Sequence, residues 1–120
     1  MRTYTPEEAA AEIPALRDQL ARIRESRRTV IASAERITDA LAADGGGVAG
    51  SDWFGASRRL REDITDLAER DILLRDAEGG LVDFPAEREG RIVFLCWRDD
   101  EDGLGFWHEQ DSGFIGRRPL

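Results

Sequence analysis

His108 is the only histidine of the chain and Cys96 the only cysteine. Any chemistry that needs a group titrating near neutrality, or a soft ligand, must be built around them. Glu109 and Asp111 follow His108 closely, and Arg117 lies within the next ten residues. With Asp83, and with Cys96 as a further candidate, this set could hold a metal ion or run acid–base chemistry. The imidazole would act as base or ligand, the carboxylates as hard ligands, and the arginine fork as an anion clamp. The same residues have a structural reading. Neighbours along a strand point to opposite faces, so His108 and Glu109 converge only if the strand ends between them. A histidine at a sheet edge then serves as a hydrogen-bonded strut. Arg117 would pair with Asp83, Glu109 or Asp111 and pin the tail to the sheet.

Other constellations carry less. Placing Gly103 at the sixth position of a calcium loop puts Asp100, Asp102 and Glu109 at ligand positions. The first position is then Arg98, where calcium needs a carboxylate, so the segment reads as a solvated hairpin tip. Arg22, Arg24, Arg27 and Arg28 cluster in the N-terminal half, and Arg58, Arg59 and Arg61 form a second group. Asp18, Glu25, Glu62, Asp63 and Asp66 are interspersed among them, which is the pattern of an ion-paired, solvated helix face.

Composition removes whole reaction classes. The 17 basic residues are all arginine, so Schiff-base and P-loop chemistry, which need lysine, are excluded. The net charge of −8 makes a nucleic-acid surface unlikely. A lone cysteine allows no internal disulfide and fits a reducing cytoplasm. The start, MRTYTPEEAA, has no apolar leader, and the longest apolar run, Ile92 to Trp97, is far below the ~20 residues of a membrane span. We therefore expect a cytoplasmic protein with no cofactor, no metal centre and no membrane partner. The 120 residues suit one domain.

The elements that must position these residues fall into two halves. Thr5-Pro6-Glu7-Glu8 is a capping box with proline in the first turn. Apolar residues then recur at Ile13, Leu16, Leu20, Ile23, Val30, Ala34, Ile37 and Leu41 with alternating spacings of three and four. This is a heptad seam, interrupted by Arg27 at one seam position and by Pro14, where a kink is expected. The helix of about 38 residues, roughly 55 Å long at 1.5 Å per residue, should end near Ala43 before Asp44-Gly45-Gly46-Gly47. A second helix from about Asp52 to Arg70 offers Trp53, Ala56, Leu60, Ile64 and Leu67. The short linker makes the pair an antiparallel hairpin over residues 5–70. Trp53 and Phe54 sit at its tip, either as a contact surface or with Trp53 folded back on Leu41 and Val48.

The second half, residues 71–120, reads as β-rich. Ile72 to Asp76 and Leu81 to Phe84 form a hairpin that Pro85 stops. Arg91 to Trp97 is a central strand buried on both faces, and Leu104 to His108 is a fourth strand, followed by an irregular tail. Trp97, Phe106 and Trp107 belong to its core or line a pocket. The second helix is too short to cover Ile13 to Ile23, so the sheet must. The class is α+β: a long antiparallel helical hairpin followed by a small antiparallel sheet.

The stretches GLVDFPAEREGRIVFLCWR and GFWHEQDSGFIGRRPL, with the opening RTYTPEEAAAEIPAL, resemble an uncharacterised bacterial family known as domain of unknown function 2203. The resemblance implies a long helical region followed by a β-rich module and carries no activity with it. Function therefore rests on the residues. The first expectation is a non-enzymatic interaction module that self-associates through its hairpin, with Arg27, Trp53 and Phe54 as interaction residues and a homodimer or another helical protein as partner. The alternative is a small ligand- or metal-binding protein or enzyme with its site at Asp83, His108, Glu109, Asp111 and Arg117.

Overall fold

The structure is a computed structural model that describes residues 1–44 and 50–120. Helix α1 spans Pro6–Asp44 and α2 spans Gly50–Glu69. Five strands follow: β1 (Leu73–Asp76), β2 (Leu81–Arg88), β3 (Arg91–Arg98), β4 (Phe106–His108) and β5 (Arg118–Pro119). They form one antiparallel sheet in sequence order β1-β2-β3-β4-β5. A single turn of 3-10 helix, Phe114–Gly116, precedes β5. The α+β class is thus the one read from the sequence. Most of the linker, and Val48 with it, lies outside the described residues.

The capping box forms as the sequence dictates. The Thr5 amide donates to Glu8 Oε1 at 2.9 Å, and the Glu8 amide donates to Thr5 Oγ1 at 3.0 Å. Those hydrogen bonds hold the Glu8 carboxyl below its ordinary value of 4.5. The helix continues through Pro14. Pro14 and Ala10 are both exposed, so water can take the carbonyl that the proline leaves without a donor. At its far end α2 closes with a Schellman motif. Asp71 has φ 56°, the Ile72 amide reaches the Leu67 carbonyl at 3.0 Å, and the Asp71 amide reaches that of Ala68 at 3.1 Å.

β2 runs on through Pro85, where the sequence suggested a stop. The Pro85 carbonyl accepts from the Tyr4 amide at 2.7 Å, so that edge of the residue faces away from β3. The missing proline N–H faces the same way, beyond the last β1–β2 pair at Asp83. No ladder bond is lost, as for a proline on an edge strand. The tail contributes β5, which pairs with β4 through Phe106–Pro119 and Trp107–Arg118.

The core joins the inner sheet face to the proximal part of α1. Val82, Phe84, Ala86, Val93, Leu95, Trp97 and Trp107 meet Ile13, Leu16, Leu20 and Ile23, with Leu67 and Ile72 beside them. The proximal stripe is covered by the sheet, though α2 does not fall short of it as its length suggested: α2 runs beside α1 through Arg22, Gln19 and Glu12, and the sheet covers the face that α2 leaves open. Between the helices, buried Gln19 donates to Asp63 and to Asp66 Oδ2, and Arg70 bridges Asp66 and Glu12. This network sets the register of the two helices.

Beyond Ile23 the packing changes. The fully covered residues there are small: Ser26, Ser33 and Ala56. Val30, Ile37, Trp53 and Leu60 are half-buried. α2 thus takes the stripe Val30, Ser33, Ile37, and Ala34 and Leu41, expected in the seam, turn outward. On α2, Asp63 turns inward toward Gln19 and Arg22, and Ile64 lies outside. The molecule measures 62 × 25 × 23 Å.

Candidate functional site on the outer face of the sheet

A two-residue turn sets the geometry. Glu89 and Gly90 both have positive φ, 52° and 78°, the requirement of a type I′ hairpin. The turn pairs Arg88 with Arg91, so five residues back along β2 and five residues on along β3 Asp83 faces Cys96. In the next ladder Phe94 pairs with His108, which places His108 diagonal to Cys96 on the same face. That face is the one turned away from α1. The segment 110–114 folds over it and leaves a cleft of about 340 Å³, lined by Arg75, Leu81, Asp83, Cys96, His108 and residues 110–114.

Asp83, Cys96 and His108 are buried, each at most 2% exposed. His108 Nε2 lies 3.0 Å from Asp83 Oδ2, and its Nδ1 lies 2.7 Å from the Glu109 carbonyl oxygen. That carbonyl only accepts, so Nδ1 carries a hydrogen and donates it. Arg75 Nε donates to the same Asp83 Oδ2 at 2.8 Å. Asp83 Oδ1 is buried and has no hydrogen-bond partner among the described residues. Burial, and the Asp83 carboxylate beside it, push the Cys96 thiol up to about 12. The thiol is therefore inert toward electrophiles at neutral pH unless something displaces its proton.

Of the residues singled out from the sequence, Asp83 and His108 are in direct contact and Asp111 lines the same cleft. Glu109 turns the other way. Both of its oxygens accept from Arg91, which holds its carboxyl below the ordinary value of 4.5. Arg117 is a latch. Its Nη2 donates to both oxygens of Glu101 at 2.8 and 2.6 Å, and its guanidinium lies over the rings of Phe106 and Phe114, 4.0 and 4.6 Å from their centroids. The partner is Glu101 of the β3–β4 loop, rather than the three acids considered above. Arg27 leaves the helix seam and reaches Glu78 in the β1–β2 loop at 2.8 Å. Trp53 and Phe54 pack edge to face at 5.3 Å, with Phe54 70% exposed.

Sequence reasoning missed Arg75 and gave Cys96 only a minor place. The signal was present: the Glu89-Gly90 turn fixes the β2–β3 register, and counting outward from it pairs Asp83 with Cys96.

A family model described as "Uncharacterized conserved protein (DUF2203)" matches residues 2–120. The chain belongs to that family. No curated protein and no solved structure matches it.

Proposed function

We propose that this DUF2203 chain is a self-associating interaction module, with a second copy docked on the distal half of its helical hairpin. The supporting observation is a second stripe of α1, apolar but for Thr38, whose hydroxyl donates to the Ala34 carbonyl. Ile31, Ala34, Thr38 and Leu41 recur at spacings of three and four and are all exposed, Ile31 at 54% and Leu41 at 58%. The stripe next to it, Val30, Ser33 and Ile37, is spent on α2. The heptad of the sequence is thus only partly used within one chain, and a coiled-coil seam needs a facing helix.

A second copy suits the charge pattern. On α1, Arg28 and Arg36 alternate with Glu25, Glu35 and Asp39 along the exposed face, and α2 adds Arg58, Arg61 and Glu62. An antiparallel two-fold pairing of two hairpins closes a four-helix bundle. Phe54 adds an apolar anchor near the tip of the kind that interface centres favour. The sheet braces the base of the hairpin through Arg27–Glu78 and Arg24–Asp99.

Sedimentation at several concentrations tests the reading. The wild type should show a monomer–dimer equilibrium, and Ile31→Glu with Leu41→Glu should shift it to monomer without loss of helix signal. Unchanged sedimentation of the double variant would place any association elsewhere.

A further inference from the structure

The outer-face cluster is unrelated to the hairpin seam and asks for its own explanation. Asp83, Cys96 and His108 each offer one ligand atom, and these atoms lie within 4.8 Å of one another. Nδ1 of His108 is bound to a backbone carbonyl, the usual arrangement that orients a ligating histidine and leaves Nε2 to the metal. Nε2 faces the carboxylate of Asp83, whose Oδ1 is buried and has no partner among the described residues. A thiol, an imidazole nitrogen and a carboxylate thus converge from three strands.

We propose that Asp83, Cys96 and His108 bind one divalent cation of the zinc class, with its fourth position open to the cleft under residues 110–114. The donor set is right for such an ion. Sulfur and imidazole select borderline-soft metals over magnesium or calcium, and three protein ligands with an open position are the pattern of reactive rather than purely structural zinc sites. The size is right as well. Metal–ligand bonds of about 2.0–2.3 Å put tetrahedral ligand atoms about 3.5 Å apart. The cluster needs to contract by about 1.3 Å at most, the difference between 4.8 Å and about 3.5 Å.

Binding balances as two protons released for one cation bound: the Cys96 thiol proton gives way to a Cys96–S–metal bond, the proton between His108 Nε2 and Asp83 Oδ2 gives way to an Nε2–metal bond, and both leave through the cleft to solvent. The positive metal replaces the proton that burial and Asp83 otherwise keep on the sulfur. Arg75 opposes the ion, because its guanidinium sits on Asp83 Oδ2. It is 42% exposed and can swing to solvent while Oδ1 takes the metal. Without a metal, His108 and Asp83 form a buried hydrogen-bonded pair, with the half-exposed Arg75 at its edge. That arrangement accounts for Oδ2 and leaves the buried Oδ1 to the weak thiol donor of Cys96 beside it.

The test uses the full chain after dialysis against chelator, titrated with Co²⁺ and then with Zn²⁺ at neutral pH. One Co²⁺ per chain should bind and produce a sulfur-to-cobalt charge-transfer absorption, which one equivalent of Zn²⁺ should remove. Cys96→Ser should abolish the band, and Asp83→Asn and His108→Gln should weaken binding on the order of 100-fold. Arg75→Gln should tighten it. Absence of the band from the wild type under excess Co²⁺ overturns the proposal, and so does undiminished binding by Cys96→Ser. The wild-type spectrum decides even if a variant fails to fold.

Discussion

The Arg117–Glu101 latch yields a quantitative prediction. Arg117 holds down the segment that roofs the cleft, and its side chain is 9% exposed against 20% for Glu101. Both Glu101 oxygens accept from it, and one also accepts from the Arg98 amide at 2.8 Å. Breaking a fully buried pair from one side costs about 3–5 kcal/mol, because the remaining charge is left without a partner. Here Glu101 keeps some contact with water, and the unpartnered Nε of Arg117 already carries part of the cost. We therefore expect Glu101→Gln to cost about 2–3 kcal/mol, with a similar loss for Arg117→Met. The double variant removes both charges, so its loss should fall short of the sum by about 1.5–2 kcal/mol. Urea unfolding at 25 °C, followed by far-ultraviolet circular dichroism, measures all four proteins, and equal slopes license the comparison. Additive losses within about 0.5 kcal/mol would show that the two side chains do not act as a pair, and would refute the latch.

Two further outcomes follow from the titrating groups. Glu8 and Asp66 are held below their ordinary values, Glu8 by the capping bonds from Thr5 and Asp66 by hydrogen bonds from Gln19 and Arg70. Below about pH 4.5 the unfolded chain binds more protons than the folded one, so urea midpoints should fall with pH there. Cys96 and Tyr4 are raised, chiefly by burial. Their contribution is complete below the unfolded values and is lost as pH rises through the folded ones, so stability should fall again above about pH 9. Cys96→Ala should soften the alkaline loss. The metal-free native chain should also react with a thiol reagent at neutral pH far more slowly than the urea-unfolded chain. Equal rates would mean that Cys96 is not sealed beneath residues 110–114.

Much of the architecture was legible because local signals and global needs agreed. Thr5 and Glu8 announce the first helix by themselves, and the apolar stripe Ile13 to Ile23 calls for a cover that the sheet supplies, although α2 is long enough to run beside it. The distal seam was harder. Periodicity alone cannot tell Ser33 from Ala34 as the inward residue, since the choice depends on which side α2 approaches, and small residues allow a close approach. Strand β2 ran past Pro85 because the missing donor faces an edge, a fact of register that composition does not carry. The site divides in the same way. Alternation along β4 already separates His108 from Glu109. The meeting of Asp83, Cys96 and His108 depends on two ladders at once, and only the first is fixed by a readable turn. Arg117 found Glu101 because β5 returns beside β4, a pairing that a two-residue strand does not announce.

The central claim is that the hairpin's distal stripe is covered by a second copy. Light scattering on the wild-type chain at high micromolar concentration tests it most directly. We expect a solution mass of twice the 13.4 kDa of one chain. A mass of 13.4 kDa that does not change with concentration would contradict it.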